Sequence, residues 1–163
     1  MDHSGIDREA DKTRIMGTSA RDFFSLQQQA AVTRAITAAE HDTSGEIRVH
    51  IENSFKGGVL DRAAYIFRHL GMARTRHRNG ILIYLAIKNK QFAIIGDKGI
   101  HKEVPENFWT HLHQEMLVYF RENRFDEGLI FAISETGKQL QKHFPRQAVD
   151  RNELPDEISF GND

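Results

Sequence analysis

The stretch RNGILIYLAIKNKQFAIIGDKGI, residues 78–100, limits the fold more than any other. Residues 81–87, ILIYLAI, are apolar at both odd and even positions. A strand of that kind has no face fit for water, so it needs cover on both sides. Lys88-Asn89-Lys90 supplies a polar turn, with Asn89 suited to a left-handed conformation. Gln91–Gly96 then returns antiparallel. Upstream, GEIRVHIE at 45–52 alternates. Ile47, Val49 and Ile51 face one way, and Glu46, Arg48, His50 and Glu52 face the other, which reads as a strand with one apolar face. Between the two strands, Leu60, Ala63, Ala64, Phe67 and Leu70 form a helical stripe stopped by Gly71. A strand–helix–strand unit implies a right-handed parallel crossover.

The flanks read as helices. Ser19-Ala20-Arg21-Asp22 predicts a capped start to a helix carrying Val32, Ala35, Ile36 and Ala39. Pro105 suits a first helical turn, and Phe108, Trp109, Leu112, Met116 and Phe120 follow on one stripe. Asp126 is placed to cap a last helix with Leu129, Ile130, Ile133, Gly137 and Leu140. The expected fold is α/β: a three-layer helix–sheet–helix sandwich around a small mixed sheet, parallel crossover plus antiparallel hairpin. A chain of 163 residues is long enough for one such core. Residues 1–18 read as a disordered lead, 19–144 as the domain and 145–163 as a flexible acidic tail with two of the three prolines.

Composition removes several function classes. Cysteine is absent, which rules out disulfides, thiolate metal sites and cysteine nucleophiles. A net charge of -1 and a pI near 6.8 give no global field for nucleic acid. The polar N-terminus has no apolar signal core, and no run of 18 apolar residues occurs, so a cytoplasmic chain without a membrane anchor is expected. Motifs are sparse. Phe67-Arg68-His69-Leu70-Gly71 sits within a helix and does not make a phosphohistidine site. His111 and His113 diverge on their helix, so no HExxH-type pair forms. Gly96–Lys102 lacks P-loop spacing. His50 reads as a structural histidine, and Arg74, Arg76, His77 and Arg78 as a solvated basic loop able to meet a phosphate or an acidic partner.

The topology singles out one end of the sheet. Two parallel strands start there and the return strand finishes there. Thr43-Ser44-Gly45-Glu46, Arg78-Asn79-Gly80 and Gly96-Asp97-Lys98-Gly99 therefore converge. They bring Glu46 and Asp97, the Asn79 amide oxygen and the Ser44 hydroxyl, which are hard donors of the type that binds Ca2+ or Mg2+. Ordinary strand-end turns carry the same residue types.

The segments TSGEIRVHIE, LDRAAYIFRHLGM, RNGILIYLAIKNKQFAIIGDKGI and FDEGLIFAISETGKQL resemble, in that order, the TPM domain family. The likeness spans about residues 19–144, and the tail at Glu153–Gly161 is similar to that of short soluble bacterial-type members. The resemblance implies the sandwich fold, a divalent ion near the converging strand ends, and acid phosphatase activity as described for plant members. Carried over residue by residue, it implies Glu46, Asn79 and Asp97 as metal ligands; Ser44 from the converging ends, Asp61, and Arg78 and Lys98 as holders of phosphoryl oxygens are further candidates for ligand binding. Asp61 matches a family aspartate, yet the topology puts it at the opposite end of the sheet, beside a helix dipole. The chain departs from the family in ending its return strand with Gly96-Asp97-Lys98-Gly99 in place of a Gly-x-Gly turn. No catalytic residue stands out. The expected function is a metal-binding interaction module with an unknown protein partner. The alternatives are a metal-assisted acid phosphatase and a metal-free adaptor.

Overall fold

A computed structural model describes residues 19–147 and 154–161. The predicted lead lies outside the described residues. The helices are α1 (Leu26–Glu40), α2 (Val59–His69), α3 (Lys98–His101), α4 (Phe108–Arg121) and α5 (Phe125–His143), and the strands are β1 (Glu46–Glu52), β2 (Gly80–Ala86), β3 (Gln91–Gly96) and β4 (Ser159–Phe160). A 3₁₀ turn at Met72–Arg74 follows α2. The strand order is β3-β2-β1-β4. β1 runs parallel to β2 and β4, while β2 and β3 are antiparallel.

Every residue of β2 is buried, as its two apolar faces require. Ile81, Ile83 and Leu85 join Ile47, Val49 and Ile51 beneath α1, α4 and α5, in one core with Ile36, Met116, Phe120 and Ile133. Leu82, Tyr84 and Ala86 face the other way and pack with Val59, Ala63, Ile66 and Phe67 of α2. The fold is the expected α/β sandwich. α1 and α5 touch closely at Gly137, where a Cβ would stand 2.7 Å from the Ala39 Cβ. Among the described residues, no helix is long and apolar enough to cross a membrane.

Several local expectations are corrected. Ser19 and Asp22 close an isolated turn, and the capping box belongs to Ser25 and Gln28. Phe23 and Phe24 lie between the two and are buried, so the chain dips into the core before the helix can start. Leu60 is 54% exposed, because α2 turns Val59 and Ile66 inward instead. In the hairpin the left-handed residue is Lys90, with φ 57. The Asn89 side chain is occupied elsewhere, bonding the backbone N–H and carbonyl of Phe55 at 3.1 and 3.2 Å. Asp126 lies within the first turn of α5, where it complements the dipole without capping. Gly71 does stop α2, at φ 75.

A fourth strand comes from the tail, beyond the three read from the sequence. Ser159 and Phe160 pair with His50 and Ile51, and the Gly161 N–H donates to the Ile51 carbonyl at 2.9 Å. Beneath it, Glu52 and His50 on the polar face of β1 are bonded to their neighbours. Arg62 donates to both oxygens of Glu52 at 2.8 and 2.9 Å, and the Tyr84 hydroxyl donates to the same carboxylate. Burial opposes the Glu52 charge, but these bonds outweigh it and hold the carboxyl below its ordinary pKa. His50 stacks on Tyr84, and its Nδ1 lies 2.9 Å from the Ser159 hydroxyl.

Candidate metal centre

Glu40 ends α1 and Glu46 begins β1, with a tight loop between. The C-terminal end of α5 clamps that loop. The Thr43 hydroxyl donates to the Leu140 carbonyl at 3.0 Å and accepts from the Gly45 N–H at 3.0 Å. Arg146 donates to the carbonyls of His41 and Glu40 at 2.8 and 3.0 Å. The fold thereby brings two acidic side chains back towards each other, and the Ile47 N–H donates to Glu40 Oε2 at 2.6 Å. The tail brings a third. Asp156 precedes Ser159 by three residues, which sets it beside the start of β1, and its Oδ2 accepts from the Thr37 hydroxyl at 3.0 Å.

Glu40, Glu46 and Asp156 each offer an oxygen, and these oxygens lie within 4.8 Å of one another. Glu40 and Glu46 are buried and Asp156 is half-buried. Burial, contact with Asp156 and repulsion from Glu46 together drive the Glu40 pKa far above the carboxylate range. The cluster therefore carries a proton at neutral pH unless another cation replaces it. Next to it, Asn79 is fully buried. Its side-chain amide nitrogen donates to Ser44 Oγ at 3.2 Å, and its backbone carbonyl accepts from the Glu46 N–H at 3.4 Å. The Asn79 Oδ1 is buried and has no hydrogen-bond partner among the described residues. The donor set fits a divalent ion: three hard carboxylate oxygens and buried negative charge.

Of the residues expected here, Ser44, Glu46 and Asn79 are brought together. Asp97 is bound elsewhere. Arg78 donates to its Oδ2 and Oδ1 at 2.7 and 3.0 Å, and Oδ1 also accepts from the Lys98 N–H at 2.8 Å. Asp97 is thus the N-cap of α3, so the expected loop begins a helix. Glu46 pairs with Gly80, and Asp97 donates its N–H to the Gly80 carbonyl from the far side. Their backbones are two strand spacings apart, roughly 9–10 Å. Lys98 is exposed on α3, and Asp61 lies exposed in the first turn of α2. Glu40 and Asp156 were not anticipated. The spacing of Glu40 and Glu46 across a turn was a faint signal, whereas no local signal marked Asp156. Asp97→Asn is expected to leave divalent-ion affinity within about threefold, because Asp97 lies two strands away with both oxygens bonded to Arg78 and a unit charge about 10 Å away changes the energy by under about 1 kcal/mol. Calorimetric titration of the variant checks this, and loss of binding would return Asp97 to the ligand set.

The TPM domain profile matches residues 18–139. The solution structure of the BA42 protein from the psychrophilic bacterium Bizionia argentinensis is 41% identical, with a TM-score of 0.79, over 85% of this chain and 96% of that one. The N-terminal domain of a P. gingivalis protein shares the fold alone, at 17% identity and a TM-score of 0.63, over 76% of this chain and 82% of that one. No curated protein matches the chain.

Proposed function

The chain belongs to the TPM domain family, and from that premise we propose that it is a divalent-cation-binding module whose ion is held by Glu40, Glu46 and Asp156. The observation that carries the reading is the approach of three carboxylate oxygens to within 4.8 Å. Such spacing suits calcium, which accepts irregular shells at about 2.3–2.6 Å, better than magnesium, which demands octahedral contacts near 2.0–2.1 Å. The Asn79 backbone is bonded to Glu46 and its Oδ1 has no partner among the described residues, so Asn79 joins the proposed shell through water.

The role proposed for the ion is organisation. Two ligands come from the α1–β1 turn and one from the tail, so an ion ties the tail to the body and orders the surface that a protein partner meets. Hydrolysis of phosphate esters by the ion is the other reading of a site like this. It is set second because the two groups expected to grip a phosphoryl oxygen and the ion, Arg78 and Asp97, are bonded to each other.

Calcium titration by calorimetry tests the proposal. One saturable site is expected in the full chain, weakened at least tenfold in Glu46→Gln and in Asp156→Asn. Unchanged binding in both variants would remove the cluster from the account. Hydrolysis of a generic phosphomonoester by repurified protein, dependent on the ion and lost in Glu46→Gln, would put the phosphatase reading first.

A further inference from the structure

A cavity of about 500 Å³ opens beside β4, next to the tail segment that follows Asp156. Arg21, Gln29, Thr33, Arg48, Ser159 and Phe160 line it. Arg48 comes from the middle of β1. Its Nε is buried without a hydrogen-bond partner, and among the described residues the group makes no ion pair. Glu157 is the acidic residue of the lining. Arg21 is exposed at the mouth, its guanidinium 5.0 Å over the Phe160 ring. Gln29 is committed to holding the turn, donating to the carbonyls of Arg21 and Phe24 at 3.1 Å each. Ser159 is engaged with His50.

A guanidinium nitrogen buried without an acceptor is costly, and the group's remaining donors complete a fork that matches an oxyanion. Two arginines against one rim carboxylate, Glu157, leave the cavity with a single positive excess. Ala30, Ile158 and Phe160 add apolar wall. We propose that this cavity is a binding site for a small organic oxyanion, a carboxylate or phosphate group carried on an apolar body. Arg48 takes the oxyanion at the cavity floor, Arg21 closes over it from the mouth, and the body lies against Phe160 and Ile158. The site shares no residue with the carboxylate cluster.

The test is a titration of the isotopically labelled full chain at low chloride, followed at the Arg48 Nε–Hε resonance and the amides of Thr33 and Phe160. Three probes share one ring: benzoate, phenyl phosphate and the uncharged benzyl alcohol. Saturable shifts in the millimolar range are expected with at least one of the two anions and not with the alcohol. Binding by benzoate alone assigns a carboxylate ligand, by phenyl phosphate alone a phosphate, and by both an oxyanion site of either kind. Affinity is expected to fall at least tenfold in Arg48→Gln and several-fold in Arg21→Gln. Arg68→Gln, an exposed arginine on α2, is expected to leave it unchanged. Arg21 is exposed, so its variant keeps the test open should Arg48→Gln fail to fold. Shifts that never saturate, equal binding by benzyl alcohol, or affinity untouched by both variants would overturn the site.

Discussion

Ile83→Ala is expected to cost about 2–5 kcal/mol, the range for large-to-small changes in a closed core. Ile83 sits at the middle of β2, fully buried, with Val49 of β1 on one side and Ile94 of β3 on the other. Its side chain enters the core shared with α1, α4 and α5. Neighbours in two strands and a helix layer hold the surrounding atoms in place, so the space left by three carbons cannot collapse fully. A domain of this size is stable by only about 5–15 kcal/mol, so the loss is a large share of the total. A urea melt measures it, with the midpoint falling at constant slope. A loss under about 1 kcal/mol would mean that β2 is not the closed centre of the sheet.

The second large effect is a pH dependence at His50. Burial is the main force lowering its pKa to about 4, helped by the charges of Arg62, Arg48 and His69 and opposed by Glu52. Tyr84 stacks on the ring, and the Ser159 hydroxyl bonds its Nδ1. Below the ordinary pKa of about 6.5 the unfolded chain takes up a proton there, while the folded chain waits until about pH 4. Stability supplied by the neutral ring is therefore complete above pH 6.5 and lost as pH falls to 4. The full loss is about 3 kcal/mol, from 1.36 kcal/mol per pKa unit. Glu40 acts in the opposite sense. Its raised pKa means that the folded chain keeps a proton the unfolded chain releases, so its contribution weakens as pH rises above 4.5. The two trends oppose each other in the whole chain, so the measurement is a difference. The stability of the natural chain relative to His50→Asn is expected to fall by about 3 kcal/mol between pH 7 and pH 4. A difference that stays flat would place His50 in water.

The sandwich was legible because its strongest signal is local. A run such as ILIYLAI has no polar parity, which forces two covering layers, and GEIRVHIE alternates so cleanly that its face follows. Errors arose where two local candidates competed. Ser19 and Ser25 both offer a cap, and only the burial of Phe23 and Phe24 decides between them. Asn89 and Lys90 both fit the turn, and a bond to Phe55, thirty-four positions away, decides that one. β4 is two residues long, too short for any period to show.

The site was legible in proportion to how much of it is built by adjacent strands. Ser44, Glu46 and Asn79 follow from two parallel strands starting together. Asp97 shares that end, but Arg78 takes both its oxygens, and a pairing across strands leaves no mark in residue spacing. Asp156 reaches the cluster only because the tail lies along β1, a contact made over more than a hundred residues. Its neighbours Leu154, Ile158 and Phe160 pack on the body, and that packing carries the carboxylate into place.

The measurement that bears most directly on the central claim is a calcium titration of the labelled full chain followed by backbone NMR shifts. The largest saturable shifts are expected at Glu40, Glu46, Asn79 and Asp156, with a smaller response along Ser159 and Phe160 as the tail tightens. Shifts confined to Gly96–Gly99 or to Asp61, with residues 40–46 and 154–160 unmoved, would contradict it.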